Sequence, residues 1–218
     1  MSNNPYLHEE VYRGKEAMQK IAKPHVIICG VGAIGSILCD TLIRQGFRNI
    51  TALDYDRAEM HNVQSQLYGM DDVGKLKTQA LAQKLYLATK VMIKQFDKKL
   101  EGHNLDKALK SGDIIVDCFD NSASRKLLND WAKRNKRHCL NAGVIEGYGE
   151  VVWEQDYRVP DDAKTEDGVA PCDYAMSRNL ITFVVSMMAE ELQSFVITGV
   201  KRKGFRITLN DMKIGSYK

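Results

Sequence analysis

The chain reads as an α/β protein: a Rossmann-like, mostly parallel, doubly wound sheet with antiparallel strands in the C-terminal part. Three observations predict it. Short apolar runs alternate with amphipathic helical stretches as far as Ala142, the pattern of βαβ units. The first run, Val26 to Cys29, opens into Gly30-Val31-Gly32-Ala33-Ile34-Gly35 at the head of a helix, as nucleotide-binding turns do. After Ala142 the alternation stops. Gly143, Gly147 and Gly149 then lead to Glu150–Trp153, which suits an antiparallel strand.

Each element follows from local pattern. Residues 6–22 form an amphipathic helix or helix pair with apolar Val11, Ala17, Met18 and Ile21, ended by Lys23-Pro24. Strand His25–Cys29 precedes a helix over Ile34–Gln45, stopped by Gly46, and a second strand over Ile50–Leu53. Residues 56–73 are polar and irregular. Lys75–Leu87 has helical spacing of Leu76, Ala80, Leu81 and Leu85. A strand at Val91–Phe96, a short helix at Asn104–Leu109, a buried strand at Asp113–Cys118, a helix at Ser122–Arg134 and a strand at His138–Ala142 follow. Gln155–Pro171 is an acidic loop, functional or mobile. Arg178–Phe195 is a long apolar helix, core or dimer surface, and Arg206–Leu209 closes the sheet. The division expected is a helical segment, 1–24, and one nucleotide-binding domain, 25–218.

Composition bounds the function. The chain has 218 residues, 44% of them hydrophobic, enough for a substantial core. A formal charge of +3 is no nucleic-acid footprint. The longest apolar stretch, Leu180–Ala189, is too short to span a bilayer. Five cysteines without paired spacing argue against a disulfide framework and for a reducing cytoplasm.

Within the turn, Gly30 permits the tight bend, Gly32 lets backbone N–H groups approach a phosphate, and Gly35 lets the helix pack on the strand. Asp54 ends the second strand, where an acid takes ribose hydroxyls. The turn alone leaves NAD, FAD, SAM and ATP open. Three further clusters fall at the carboxyl ends of strands, where open α/β sheets bind ligands. They are Asp54-Tyr55-Asp56 with Asn62-Val63-Gln64-Ser65-Gln66, then Gly74-Lys75-Leu76-Lys77, then Asp117-Cys118-Phe119-Asp120-Asn121 with Arg125 in the next helix. A lysine, amides and a second carboxylate suit a triphosphate with Mg²⁺; a dehydrogenase needs no such set.

At this point the chain resembles the ThiF/MoeB-like adenylating enzymes, relatives of the ubiquitin-activating enzymes. The resemblance covers roughly residues 12–200: RGKEAMQKI at 13–21, GVGAIGS, the D-x-D at 54–56, the N-x-x-x-Q at 62–66, VGKLK at 73–77, DCFDN at 117–121 and AGVIEGYGEV at 142–151. It implies that Asp54 binds ribose, that Asn62, Gln66 and Lys77 line the triphosphate, and that Asp120 holds Mg²⁺. It implies ATP-dependent adenylation of the C-terminal carboxylate of a small ubiquitin-like or sulfur-carrier protein, and a homodimer. Asp56 and Asn121 complete the nucleotide set. Asp120 also has a rival role, capping the following helix. Arg125 either serves the site or pairs with a carboxylate.

Two departures stand out. Ser65 occupies the position of a family arginine that grips phosphates, and a hydroxyl cannot replace a guanidinium fork. Arg57, Lys75 or a partner's Arg13 could substitute, or catalysis could be lost. The zinc-binding Cys-x-x-Cys pairs of many relatives are missing, so no structural zinc is expected. Cys29, Cys39, Cys118 and Cys139 read as core. Cys172 resembles the cysteine that links to a carrier after adenylation, and could attack an acyl-adenylate as thiolate. The rival functions are a non-catalytic nucleotide-binding partner subunit, ATP-dependent activation of a non-protein substrate such as a tRNA base, and an NAD-dependent oxidoreductase.

Overall fold

The computed structural model describes residues 4–160 and 177–216. Their elements run α1 (Leu7–Arg13), α2 (Lys15–Ile21), β1 (His25–Cys29), α3 (Ala33–Arg44), β2 (Asn49–Leu53), α4 (Asn62–Ser65), α5 (Lys77–Thr89), β3 (Lys94–Phe96), α6 (Leu105–Leu109), β4 (Ile114–Asp117), α7 (Ser122–Arg134), β5 (His138–Ile145), β6 (Tyr148–Trp153), α8 (Arg178–Thr198), β7 (Phe205–Thr208) and β8 (Lys213–Ser216). One sheet holds all the strands in the order β3-β2-β1-β4-β5-β6-β7-β8. Pairing is parallel from β3 to β5 and antiparallel from β5 to β8. This is the mixed α/β sheet that the sequence predicts.

Side-chain alternation builds two cores on one sheet. Val26 and Ile28 of β1, Ile114 and Val116 of β4, and Leu140 and Ala142 of β5 face the layer of α3, α5 and α8. Ile27, Cys29, Ile115 and Cys139 face Leu105 and Leu109 of α6 and Leu128 and Trp131 of α7. By length and hydropathy alone α8 would pass for a membrane span. Its Leu180, Ile181, Val184, Met188 and Leu192 are instead fully buried against the sheet, so this face of the long apolar helix is core.

Several boundaries move for physical reasons. The N-terminal segment is a helix pair, broken at Gly14 with φ +88°. Val11, expected on the apolar face, is 78% exposed, and α1 buries nothing; Ala17 and Ile21 of α2 make the contact. The helix expected from Lys75 starts at Lys77, because residues 75 and 76 run in a short ladder against Arg57 and Ala58. It continues to Thr89, where Lys90 caps it at φ +60°. The polar stretch 56–73 contains α4 and a 3₁₀ turn at Met70–Asp72. The third strand shrinks to Lys94–Phe96. β6 begins at Tyr148 rather than Glu150, since a tight turn with Glu146 at φ +51° lets β5 and β6 pair out to Ile145–Tyr148. β7 does not close the sheet; the fully exposed β8 does, and its polar sequence carries little strand signal.

Two glycines are sterically obligatory and one is not. A Cβ on Gly35 would lie 2.0 Å from the Gly30 carbonyl oxygen, and one on Gly30, itself at φ +85°, would lie 2.8 Å from that of Cys118. At Gly32 a Cβ would meet, among the described residues, only the Gln66 Nε2, at 3.9 Å. Gly35→Ala is therefore expected to cost roughly 3 kcal/mol. Gly32→Ala should cost about 1 kcal/mol or less. Urea unfolding of both variants checks the contrast; equal losses would refute it.

Candidate functional site

The sheet order reverses between β1 and β4: β2 lies on one side of β1 and β4 on the other. The crevice outside the carboxyl ends of the strands at such a switch point is where open α/β sheets bind ligands. Here it is lined by the glycine turn after β1, the D-x-D turn after β2 and the 117–121 turn after β4.

Asp54 joins the first two. Its Oδ2 accepts the Val31 N–H and its Oδ1 accepts the Asp56 N–H, each at 2.9 Å. Burial pushes this carboxyl up from its ordinary value; Lys77 and the two N–H donors oppose the rise. The glycine turn is held from the other side as well. Tyr68 Oη donates to the Val31 carbonyl at 2.7 Å, and the Leu67 N–H donates to Ser36 Oγ at 3.1 Å. This seats residues 66–68 on the turn and lays the Gln66 amide beside Gly32. Among the described residues Gln66 Oε1 is buried without a hydrogen-bond partner, an acceptor left for something they do not supply.

Lys77 comes to the same place through backbone. Its N–H donates to the Asp56 carbonyl at 2.9 Å, Ala58 N–H to the Lys75 carbonyl at 2.9 Å and Gly74 N–H to the Ala58 carbonyl at 2.8 Å. The ammonium is buried and lies 3.5 Å from the Asp56 carboxylate. The preceding segment is clamped by Asp72, which accepts the Gly69 N–H at 2.9 Å and pairs with Lys84 at 2.8 Å and Lys75 at 3.5 Å. Burial opposes ionisation of Asp72, yet the Gly69 N–H and the two lysines outweigh it and hold the carboxyl below its ordinary value.

Asp120 is exposed at the third turn. The Tyr55 hydroxyl has its pKa raised by Asp56 first, then by burial, Asp54 and Asp120, so these carboxylates share one mouth. The cap of α7 is Asn121, not Asp120: Asn121 Oδ1 accepts the Ser124 N–H at 2.9 Å. Asn62 is turned inward, its Oδ1 accepting the Glu59 N–H at 2.9 Å. It shapes the turn before α4. Arg125 is a buried structural cation. It donates to Tyr157 Oη and to the Ala142 carbonyl, each at 2.8 Å, and stands 3.8 Å from the fully buried Asp117. Burial raises the Asp117 carboxyl, with Arg125 opposing. Asp117 in turn accepts the Phe119 N–H at 3.1 Å, fixing the turn that carries Asp120. Sequence reading missed Tyr68 and Tyr157; neither lies in a motif.

Cys29, Cys39 and Cys139 are buried, and burial raises their thiol pKa values. Cys118 is only half buried, just past β4. Cys172 lies outside the described residues. Of the substitutes for the arginine missing at Ser65, Arg57 donates one N–H to the Gly74 carbonyl at 2.7 Å and Lys75 pairs with Asp72. Arg13 pairs with Glu9 at 2.9 Å and Glu190 at 2.7 Å of its own chain.

The arrangement offers an open backbone floor, an amide acceptor, a lysine and carboxylates, a set that fits a nucleotide with its phosphates. Among the described residues no group of three His, Cys, Asp or Glu side chains is placed to hold a metal. Asp120 could share Mg²⁺ only with ligand oxygens, as that ion commonly does.

Comparison with known proteins agrees with this geometry. A model described as the ThiF family matches residues 7–215. The chain is 27% identical over 153 residues to the tRNA threonylcarbamoyladenosine dehydratase of Haemophilus influenzae, covering 69% of this chain and 58% of that protein. It is 27% identical over 161 residues to the sulfur carrier protein ThiS adenylyltransferase of Escherichia coli, covering 69% and 64%. It thus spans less than two thirds of either. The crystal structure of E. coli MccB with ATP superposes with a TM-score of 0.81 at 21% identity, over 100% of this chain and 72% of that one, a likeness of fold.

Asp72→Asn tests the clamp on Lys77. A depressed carboxyl contributes stability above its unfolded pKa and loses it as pH falls through the folded value. The variant should therefore lose about 1 kcal/mol at pH 7 and progressively less as the pH is taken below the ordinary carboxylate range, to about pH 2. Thermal unfolding at the two pH values measures this; a deficit that persists at low pH would rule the ion pairs out as its source.

Proposed function

The chain belongs to the ThiF family, and from that premise we propose that it adenylates a carboxylate with ATP. The proposed substrate is the C-terminal carboxylate of a small ubiquitin-like or sulfur-carrier protein. The observation that carries the reading is the floor at Gly32. Among the described residues no atom crowds a Cβ there, so the glycine serves close approach of a ligand rather than packing. The Gln66 amide, with its buried Oε1 unpartnered among the described residues, lies beside it, and the Lys77 ammonium stands at the neighbouring Asp54 and Asp56.

In the proposed reaction a carboxylate oxygen of the substrate attacks the α-phosphorus of ATP. A new O–P bond forms, the bond between the α-phosphorus and the bridging oxygen breaks, and pyrophosphate leaves. The chain's own work is positioning and charge stabilisation. Asp54 takes the ribose hydroxyls with the lone pairs that Val31 and Asp56 leave free. Gln66 and Lys77 orient the phosphates, and Lys77 is drawn from Asp56 toward the pyrophosphate as charge builds on it. Asn62 supports this wall through the α4 turn, and Asn121 holds the α7 end next to Asp120. Asp120 would hold Mg²⁺ together with phosphate oxygens. Transfer to a cysteine would follow if the Cys172 thiolate attacked the acyl carbon and released AMP. We place the reaction in a homodimer in a reducing cytoplasm.

A second reading is supported by the tRNA threonylcarbamoyladenosine dehydratases among the relatives. In it the same adenylation acts on a non-protein carboxylate or a tRNA base.

ATP–pyrophosphate exchange separates the possibilities. Exchange dependent on a carrier protein is expected, with Lys77→Ala and Asp120→Ala each lowering the rate about a hundredfold or more. Exchange supported only by a tRNA or a small carboxylate would favour the second reading. ATP binding without exchange under any condition would mean a non-catalytic subunit, and preference for NAD would end the adenylation reading. A carrier linkage that survives Cys172→Ala would remove the cysteine step. Light scattering of the purified chain should give twice the 24.6 kDa of one protomer; a monomer that exchanges would reject the dimer.

A further inference from the structure

We propose that Arg178, at the start of α8, supplies the second phosphate-binding cation of the site, in place of any cation on α4. The inference rests on the reading of the site as one for ATP.

The charge balance at the crevice calls for such a group. Asp54, Asp56 and Asp120 line its mouth, and the buried Lys77 is shared with Asp56. A triphosphate brings several more negative charges into the same space, where opposite charges must compensate them. Of the cations near the crevice, Lys75 and Lys84 pair with Asp72 and Arg13 with Glu9 and Glu190, while Arg57 bonds to the Gly74 carbonyl and Lys99 lies over the Tyr55 ring, neither of them on α4. Ser65 is buried and offers only a short hydroxyl.

Arg178 is differently placed. Its Nη1 donates to the Gln64 carbonyl at 2.8 Å, at the C-terminal end of α4. Gln66, two residues on, lays its amide beside Gly32 and carries the unpartnered Oε1. The carbonyl therefore tethers an exposed guanidinium next to the wall of the phosphate floor. That bond occupies one of the five N–H donors of the fork and leaves the rest for phosphate oxygens. A mere cap on α4 would leave those donors to water.

Binding of a non-hydrolysable ATP analogue with Mg²⁺, and of AMP, to the full chain by titration calorimetry tests this. Arg178→Ala should weaken the ATP analogue about tenfold or more, because charge-assisted bonds to phosphate are lost. AMP binding should stay within about twofold, since the β- and γ-phosphates are the partners. Arg178→Lys, a point charge without the fork, should fall between. It reads the same contrast if the alanine variant does not fold. Ser65→Arg added to Arg178→Ala should restore the ATP analogue. Equal losses for the two nucleotides, or none for either, would overturn the proposal and leave Arg178 a cap on α4. A wild-type chain that binds no ATP analogue would bring down the ATP reading and this proposal with it. ATP binding that is indifferent to Arg178 brings down this proposal alone.

Discussion

The site depends on one buried carboxylate. Asp54 accepts the N–H of Val31 from the turn after β1 and that of Asp56 from the turn after β2. A carboxylate in this position resists ionisation, and two backbone donors with a nearby ammonium are what make it tolerable. Through these bonds the glycine floor and the D-x-D turn become one rigid piece. Lys77 then follows, because its own N–H is fixed to the Asp56 carbonyl. In the proposed function a nucleotide arriving at Gly32 would meet groups already held in place, so little ordering entropy would be lost on binding.

A second buried charge stands behind the third turn. Asp117 and Arg125 face each other in the interior, with the Tyr157 hydroxyl, the Ala142 carbonyl and Asn129 completing their hydrogen bonds. Such a pair is weak evidence for net stability, since desolvation offsets much of its attraction. Its effect here is geometric. It ties the 117–121 turn to β5 and to the segment after β6, so the exposed Asp120 stands on a fixed base. Ser122 adds a bond to the Pro160 carbonyl, securing that segment against the start of α7.

Much of this was legible along the chain. The parallel half of the sheet, the glycine turn and α7 follow from patterns within a few residues of one another, and Asp54 and Lys77 lie in short motifs. The misjudged parts are those where local pattern and long-range packing disagree. Val11 looks like an apolar helix position, but nothing in the described fold covers it. Lys75 has good helical spacing, but the ladder to Arg57 and Ala58 claims its backbone. β8 has almost no strand signal and exists because β7 presents it an edge. Arg125, which the sequence leaves open between the site and a carboxylate, pairs with Asp117, and Asn62 bonds through its Oδ1 to the Glu59 N–H.

Sequence by itself determined the fold class, the family resemblance and the bend at Gly30, since propensity, side-chain period and turn sterics act between near neighbours. Tertiary structure alone decided which polar groups are spent and which are left over. Arg13 meets Glu190 across 177 positions, and Arg178 meets Gln64 across 114. No local rule spans such separations, because those contacts exist only once the sheet and α8 have packed. Ser65 alone announces a missing cation; the folded chain brings one to the end of its helix.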